Sequence, residues 1–524
     1  MQIVRANRDS DFGRRHGFAH VGSYSDFTHA VPMAQFSYYY PYIERCKQGE
    51  TSAMFGPSQK LLMFALTSGT TGPAKYIPIT SDFMAAYCRG WNIWGIKALA
   101  DHPQVYLGKG LQISSAAEQQ RTAAGYPCGA ISGMLARRQK RIVRYFYATP
   151  SDVNQITDTA SRHYTILRFA LGENITVIVA ANPSTLVALA QTGDRNAQRL
   201  IRDMYDGTLD RSLEIPAELR NKLTCRLRPN PERARWLQRL LDEHGCLLPK
   251  HYWNPAGLAH WTGGTVGLYL PQVRKYYGDR PIRDIGLLAS EGRMSIPLQD
   301  NTAAGVLDIC ANFYEFVPEE QIGKLDLPPD CETLPDDLTI LRADELERNR
   351  RYFIFLTNRA GLYRYHIGDL VQVTDYISET PVIEFLSRGA HTSSITGEKL
   401  TEHQVVGAVG AALHRVGLET TLFTLAPIWA DPPYYTLYVE TNRNSNPETF
   451  GGLTEQVDEL LRQGNIEYES KRKSGRLGPV KIQPLNDNEL TRYDRISILA
   501  CSGRDEQFKH RFLLNEPINL DRGS

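Results

Sequence analysis

The sequence predicts an α/β protein with a large N-terminal domain and a small C-terminal α+β domain. The chain has 524 residues, more than one compact core usually holds, so we expect at least two domains. Short β-rich runs, ITVIVA (175–180) and IFLT (354–357), are bounded by Gly, Asn and Pro, which is typical of buried strands in mixed sheets flanked by helices. The last part of the chain alternates helix and strand signals. These observations predict domains at 1–388 and 389–524.

Composition and charge are those of an ordinary globular protein. Hydrophobic residues make up 42% and charged residues 22% of the chain, and the formal net charge of +1 predicts no general attraction to nucleic acid or membranes. The eight cysteines form no C-x-x-C pair, which suits a reducing compartment. The start, MQIVRANRDSDF, has no apolar signal core, and no run reaches the ~18 apolar residues of a membrane span. We therefore expect a cytoplasmic protein; no pattern indicates its oligomeric state.

A loop in the N-terminal part, TSGTTGPAK (67–75), has the chemistry of a polyphosphate site. Glycines let backbone N–H groups approach a ligand closely, hydroxyls add donors, and the final lysine adds positive charge. The loop is not a Walker A motif, because its lysine is not preceded by glycine or followed by Ser or Thr. Taken alone, a flexible Gly/Thr turn is an equally good interpretation.

Three later segments carry polar residues in similarly informative positions. LLASEG (287–292) places a carboxylate after an apolar strand, where it could hold Mg²⁺ together with substrate phosphates. GLYRYHIGDL (361–370) places an aspartate after a glycine turn, suited to both hydroxyls of a ribose. EFLSRGAHTSSITGEKL (384–400) carries an arginine beside a glycine that can act as a hinge. Each also has a plainer interpretation, as a helix-start carboxylate, a surface turn and a lone arginine.

The C-terminal residues contain their own helix and strand signals. Thr401-Glu402-His403-Gln404 predicts a capping box, and a helix follows with its apolar face at Val405, Val409, Leu413 and Val416 and its end at Gly417. Residues 421–426, 434–440 and 480–482 predict strands. A second helix is predicted with its apolar face at Phe450, Leu453, Val457 and Leu460.

The loop and the three later segments, in this order, resemble the adenylate-forming superfamily of acyl-CoA synthetases, nonribosomal adenylation domains and firefly luciferase. Other segments are similar to the acyl acid amido synthetases of the Gretchen-Hagen (auxin-conjugating) family: SYSDFTHAVPMAQFSYYYPYIERCKQGE (23–50), FYEFVP (313–318) and SGRDEQFKHRFL (502–513). The resemblance extends from about residue 20 to about residue 513. It implies a large ATP- and acid-binding domain and a small, mobile C-terminal lid domain.

The resemblance also implies ATP and Mg²⁺ as cofactors and assigns roles to individual residues. The predicted ATP-binding residues are Ser68, Gly69, Thr70, Thr71, Gly72, Lys75, Ser290, Glu291, Tyr363, Asp369, Arg388 and Lys509. Within this set Glu291 is the Mg²⁺ carboxylate, Asp369 contacts the ribose, and Lys509 acts with Glu291 in catalysis. ASEG lacks the tyrosine and doubled serine of plant members, which leaves the adenine contact unassigned, and His366 stands where plant members often carry another residue.

The implied function is ATP-dependent ligation of a carboxylic acid to an amine, most simply an amino acid, through an acyl adenylate. A thioester-forming acyl-CoA ligase would share the first half-reaction, and a non-catalytic nucleotide-binding protein would retain only the binding residues. For the acid, a slot is predicted at Ser132, Ala180, Trp261 and Gly263. Trp261 is equally consistent with a place in the core.

Overall fold

The structure is a computed structural model. It describes residues 1–67, 75–114, 118–138, 145–325, 332–388, 392–393, 395–396, 398, 400–418, 420, 422–440, 447–486, 488–500 and 510–518.

The α-helices of the described residues are concentrated in the first half of the chain and in its last quarter. They are α1 (Gln2–Ala6), α2 (Asp11–Arg15), α3 (Tyr24–Ala30), α4 (Phe36–Lys47), α5 (Ser81–Asp101), α6 (Ile131–Arg138), α7 (Thr159–Ala170), α8 (Pro183–Arg195), α9 (Ala197–Asp206), α10 (Ala217–Thr224), α11 (Pro231–His244), α12 (Pro249–Tyr252), α13 (Leu270–Tyr277), α14 (Ile322–Leu325), α15 (Glu402–Val416), α16 (Pro447–Gly464), α17 (Ile466–Lys473) and α18 (Glu489–Ala500).

The strands are mostly short, apart from three longer ones in the second half of the chain. They are β1 (Leu61–Thr67), β2 (Lys75–Thr80), β3 (Lys109–Ile113), β4 (Gln120–Arg121), β5 (Pro127–Gly129), β6 (Ile175–Ala180), β7 (Gly257–Ala259), β8 (Ile282–Arg283), β9 (Leu288–Ala289), β10 (Gly292–Arg293), β11 (Ser295–Ile296), β12 (Gly305–Leu307), β13 (Phe313–Pro318), β14 (Leu341–Arg342), β15 (Arg351–Thr357), β16 (Tyr365–Ile377), β17 (Thr380–Arg388), β18 (Thr392–Ser393), β19 (Leu400–Thr401), β20 (Phe423–Ile428), β21 (Tyr434–Glu440) and β22 (Lys481–Leu485).

Three larger sheets form the framework of the N-terminal part. One is mixed, with strand order β2–β1–β5–β4, and a second is parallel, with order β3–β6–β7–β8. The third has seven strands in the order β11–β12–β17–β16–β15–β13–β14. The predicted strands ITVIVA and IFLT are confirmed: the first is β6, and the second lies within β15. Their apolar runs are long and uninterrupted because both faces of these strands are largely buried.

The chain divides into two compact units. The first contains residues 1–67, 75–367 and 371–385, and the second contains residues 386 onward together with Gly368–Leu370. Because the predicted hinge glycine, Gly389, lies outside the described residues, the boundary after residue 388 stays a prediction. Among the described residues, none of the helices is long and apolar enough to cross a membrane.

Most of the buried apolar residues described in the first unit belong to two large cores. One is rich in aromatic residues from the N-terminal helices and the mixed and seven-stranded sheets, including Phe12, Tyr39, Phe64 and Tyr363. The other surrounds the parallel sheet and the helices α7 to α13, with Ile178 and Leu258 among its buried strand residues. The aromatic N-terminal segment and the parallel sheet therefore belong to different cores.

The second unit confirms most of the local predictions for the C-terminal residues. Thr401 and Gln404 form the capping box of α15 through reciprocal hydrogen bonds of 3.2 and 3.0 Å, and Gly417 ends the helix with φ of +71°. The strands β20, β21 and β22 form one sheet. The apolar face predicted for α16 is confirmed at Leu453 and Val457, which are buried; Phe450 and Leu460 are half-buried, and Leu461 beside them is buried as well.

Candidate active site

The predicted phosphate loop connects two paired strands. Its N-terminal strand β1 runs antiparallel to β2, and Thr67 lies opposite Lys75. Lys75 is half-buried, and its Nζ lies 5.1 Å from the centre of the Phe36 ring. The five residues at the centre of the prediction lie outside the described residues, and their contacts stay a prediction: Ser68, Gly69, Thr70, Thr71 and Gly72. The hairpin register nevertheless fixes where the loop begins and ends.

Glu291 lies in the tight turn of a very short hairpin. Ala289 of β9 pairs with Gly292 of β10, so Ser290 and Glu291 form the two-residue connection. The Glu291 side chain is 0% exposed, and the Tyr365 hydroxyl donates a long hydrogen bond of 3.5 Å to its Oε1. The Asn358 side-chain amide donates to the Glu291 backbone carbonyl at 2.6 Å. The turn therefore presents one carboxylate whose backbone is held from outside the hairpin.

Mg²⁺ would find one oxygen ligand at this turn. No group of three or more His, Cys, Asp or Glu side chains that could hold a metal ion occurs within the part of the chain that the structure describes. The chemistry of Glu291 nevertheless fits Mg²⁺, which proteins often bind through one or two carboxylates plus substrate phosphates and water. The carboxylate is buried in this structure, so the residues that cover it would have to move for Mg²⁺ to reach it.

Tyr363 and Arg364 belong to the interior of the first unit. The Tyr363 ring stacks on Phe12 with centroids 5.1 Å apart, and its hydroxyl accepts a hydrogen bond of 2.8 Å from the Asn7 side chain. The Arg364 Nε lies 3.1 and 3.0 Å from the two carboxylate oxygens of Glu315. The Tyr363 side chain is fully buried, and its contacts hold the GLYRYHIGD segment against the N-terminal helices. The ATP contact predicted for Tyr363 stays a prediction.

By their contacts, Asp369 and Arg388 belong to the second unit. Asp369 lies within β16 and is 2% exposed, and Arg388 is the last residue of β17. Lys509 lies outside the described residues, as does Lys399. The predicted roles of Asp369, Arg388 and Lys509 stay predictions.

His510, the residue after Lys509, is firmly held within the second unit. Its Nδ1 lies 2.7 Å from Asp494 Oδ2 and its Nε2 lies 2.8 Å from the Phe423 carbonyl oxygen. Burial alone would lower the pKa of His510, but the hydrogen bond and charge of Asp494 outweigh it and raise that pKa. Leu513 then pairs in parallel with Leu425, so residues 510–513 run along β20.

Three of the residues predicted to line the acid slot lie on or shortly after strands of the parallel sheet, and the fourth, Ser132, follows the mixed sheet. Ala180 ends β6 and is buried, and Trp261 follows β7, the next strand of the same parallel sheet. The Trp261 backbone N–H donates to the Ala181 carbonyl at 3.0 Å, and its indole N–H donates to the Gly286 carbonyl at 2.8 Å. At Gly263, a Cβ atom would lie 2.9 Å from that of Ala303. Ser132, in contrast, is exposed at the start of α6, after the mixed sheet.

Asp284 is a buried carboxylic acid beside Trp261 that sequence reasoning missed. Its two oxygens accept hydrogen bonds from the Gly286 N–H at 2.6 Å and from the Thr262 N–H and hydroxyl at 2.6 and 2.8 Å. Burial raises the pKa of Asp284 to about 6 even though all these donors favour the ionised form. The only sequence signal was its position directly after β8, at the edge where the carboxyl ends of parallel strands meet.

Asp284 should make the stability of the protein pH-dependent. A carboxyl whose pKa is raised from 3.8 to about 6 binds more protons in the folded state, so its contribution is fully present below about pH 4 and is lost as the pH rises through 6. We expect the free energy of unfolding of the wild type, relative to Asp284→Asn, to fall by about 3 kcal/mol between pH 4 and pH 7. Urea unfolding at several pH values measures this difference; parallel curves for the two proteins would contradict it.

Three family models match almost the whole chain. The model of the GH3 family N-terminal domain matches residues 1–282, that of the GH3 family central domain matches residues 305–388, and that of the GH3 family C-terminal domain matches residues 403–518. The second model contains the GLYRYHIGD segment, and the first contains the TSGTTGPAK loop.

Characterised proteins and solved structures show the same relationship. The chain is 25% identical to jasmonoyl–L-amino acid synthetase GH3.5 of Oryza sativa subsp. japonica, covering 97% of this chain and 90% of that protein. It is 22% identical to indole-3-acetic acid-amido synthetase GH3.10 of Arabidopsis thaliana, covering 94% and 87%. The structure of GH3.15 acyl acid amido synthetase matches with a TM-score of 0.83 at 19% identity, covering 99% of this chain and 90% of that one. This likeness confirms the predicted fold class.

Proposed function

Because the chain belongs to the GH3 family, we propose that it is an ATP-dependent acyl acid amido synthetase, a ligase that joins a carboxylic acid to an amino acid. The observation that carries the proposal is that three GH3 domain models match in order along most of the chain. The relatives that match most of its length are amido synthetases by name, which supports a ligase activity. We place the enzyme in the cytoplasm, acting on small molecules.

The first half-reaction forms an acyl adenylate. A carboxylate oxygen of the acid attacks the α-phosphorus of ATP, the new O–P bond forms, and the bond to the β-phosphate bridging oxygen breaks to release pyrophosphate. The loop before Lys75 holds the phosphates, Asp369 holds the ribose hydroxyls with Arg388 beside it, and Lys509 meets the charge that develops between carboxylate and phosphate. Such catalysis is mainly positioning and charge stabilisation. Mg²⁺ held by Glu291 would supply charge neutralisation on the phosphates.

The second half-reaction forms the amide. The amine nitrogen of the amino acid attacks the acyl carbonyl carbon, a C–N bond forms, and the bond to the AMP oxygen breaks while the nitrogen loses a proton. Rotation of the small domain would separate the two half-reactions in time.

For the acid, we propose an aromatic or cyclic carboxylic acid. The residues at the edge of the parallel sheet support this class, because Trp261, whose indole N–H donates to the Gly286 carbonyl, follows β7 and the small residue Ala180 ends the neighbouring strand β6. The names of the two characterised relatives contain jasmonoyl and indole-3-acetic acid, which are ring-bearing acids. Ser132 lies in helix α6, which follows the mixed sheet, and remains a weaker candidate for the acid site.

A pyrophosphate-exchange screen over carboxylic acids tests the proposal. Exchange that depends on one acid identifies the first substrate, and mass spectrometry of the product with pooled amino acids identifies the second. Amide and AMP in equal amounts support the amido synthetase. A thioester formed with CoA in place of an amide would instead identify an acyl-CoA ligase, and the absence of exchange with every acid would contradict adenylation.

Glu291→Gln should raise the Mg²⁺ requirement of adenylation. The amide removes the negative charge that favours the cation but keeps the shape of the buried side chain. We expect the Mg²⁺ concentration for half-maximal exchange to rise about tenfold, with activity partly restored at high Mg²⁺, by analogy with the affinity losses seen at other metal sites. Glu384→Gln makes the same chemical change on β17 and serves as the control. Equal Mg²⁺ curves for wild type and Glu291→Gln would remove Glu291 from the metal site.

A further inference from the structure

One buried side chain connects the turn of Glu291 to the start of the GLYRYHIGD segment. Asn358 is 0% exposed and follows β15 directly. Its Nδ2 donates to the Glu291 backbone carbonyl at 2.6 Å, and its Oδ1 accepts hydrogen bonds from the Ala360 and Leu362 N–H groups at 2.9 and 3.1 Å. The carboxamide therefore bonds at both ends, to two segments that are far apart in the sequence.

These partners define what the residue at position 358 must supply. The Glu291 carbonyl can only accept a hydrogen bond, and the N–H groups of Ala360 and Leu362 can only donate. A side chain of this size must therefore offer a donor at one end and an acceptor at the other. Asparagine does so, whereas aspartate offers acceptors alone and would place a carboxylate oxygen against the Glu291 carbonyl.

The hairpin that carries Glu291 depends on such outside support. Its strands have two residues each, and their pairing is Leu288 with Arg293 and Ala289 with Gly292. So short a hairpin is marginal by itself, because few hydrogen bonds offset the ordering of its residues. The hydrogen bond from Asn358 acts directly on the backbone of Glu291, the residue whose carboxylate is the proposed metal ligand.

We propose that Asn358 is a positioning residue for Glu291. It fixes the Glu291 backbone relative to the 360–362 turn and thereby sets where the carboxylate is presented. The inference rests on the proposed function only in taking Glu291 as the Mg²⁺ ligand. Groups that orient a metal ligand without touching the metal commonly change metal affinity 10- to 100-fold when they are removed.

The same hairpin offers a matched control in Asn312. This buried asparagine donates from Nδ2 to the Arg293 backbone carbonyl at 3.0 Å, two residues beyond Glu291. The Tyr314 hydroxyl donates to the same carbonyl at 3.0 Å and accepts a hydrogen bond of 3.0 Å from the Asn312 Nδ2. Asn312→Asp therefore makes the same chemical change beside the same hairpin without removing a bond to Glu291.

The test compares wild type, Glu291→Gln, Asn358→Asp and Asn312→Asp in the full-length protein. Calorimetry measures ATP binding over a range of Mg²⁺ concentrations, exchange kinetics give kcat and KM, and thermal unfolding reports stability. We expect Asn358→Asp to raise the Mg²⁺ concentration for half-maximal ATP binding about tenfold, with kcat recovering at saturating Mg²⁺. Asn312→Asp should stay within about twofold of wild type, even if both variants lose similar thermal stability.

The outcomes separate the inference from the proposed function. Equal Mg²⁺ shifts in the two asparagine variants, or no shift in Asn358→Asp while Glu291→Gln shifts, would overturn the positioning role and leave Glu291 as the ligand. No shift in Glu291→Gln would refute the metal role of Glu291 itself and the inference with it. If Asn358→Asp does not fold, the uncharged pair Asn358→Ser and Asn312→Ser is measured with the same criteria.

Discussion

Lys509→Ala should slow adenylation by roughly two or more orders of magnitude, the range found when a group that stabilises developing charge is removed. The ammonium would meet charge that grows as the carboxylate attacks the α-phosphate, so it should stabilise the transition state more than bound ATP. We therefore expect ATP affinity to change much less than the rate of pyrophosphate exchange. The second half-reaction, started from a supplied acyl adenylate and an amino acid, should be partly spared.

Lys481→Ala is measured beside this variant, because Lys481 is one of the other lysines that could perform this step. Lys481 begins β22, and its Nζ lies 3.8 Å from the centre of the Tyr434 ring, so it already has a partner within the second unit. Equal losses in both half-reactions of Lys509→Ala would indicate a structural role for Lys509. Full activity would show that another lysine performs this step, and Lys399 and Lys481 would be the next to examine.

Local patterns in the sequence predicted much of the fold because their causes are local. The capping box at Thr401 depends on side chains three residues apart, and the strand at 175–180 depends on a continuous apolar run. Burial at single positions is less predictable: in α16 Leu461 is buried, whereas Leu460, one residue earlier on the predicted face, is half-buried.

The support of the site could not be predicted because its partners are distant in the chain. Nothing near Tyr363 indicates that its hydroxyl pairs with Asn7, 356 residues away. The nucleotide contact of Tyr363 implied by GLYRYHIGD stays a prediction, and nothing in the sequence indicated that its ring stacks on Phe12. Asn358 and Asp284 were missed for the same reason, since a lone Asn or Asp after a strand has many ordinary interpretations.

Arg364→Ala should lower the free energy of unfolding of the first unit by about 3–5 kcal/mol, the loss typical of removing one partner from a buried ion pair. Arg364 and Glu315 are 4% and 1% exposed in their side chains, and the arginine also donates to the carbonyl oxygens of Thr28 and Val31 at 3.1 and 2.8 Å. The variant leaves Glu315 as an uncompensated buried charge and two carbonyls without this donor. Urea unfolding followed by tryptophan fluorescence measures the loss.

A double-mutant cycle distinguishes the ion pair from simple loss of volume. Glu315→Gln should also destabilise the protein, because it leaves the Arg364 charge buried beside a neutral group. The Tyr24 hydroxyl, which donates to Glu315 at 2.8 Å, can still donate to the Gln oxygen, but the Gln amide nitrogen replaces one of the two oxygens that accept from Arg364 Nε. Since each single change leaves the other charge buried without its partner, the double variant Arg364→Met with Glu315→Gln should lose less stability than the sum of the losses of Arg364→Met and Glu315→Gln measured singly. Additive losses would show instead that Arg364 acts through its carbonyl partners, Thr28 and Val31, and that its pairing with Glu315 contributes little to holding the GLYRYHIGD segment in place.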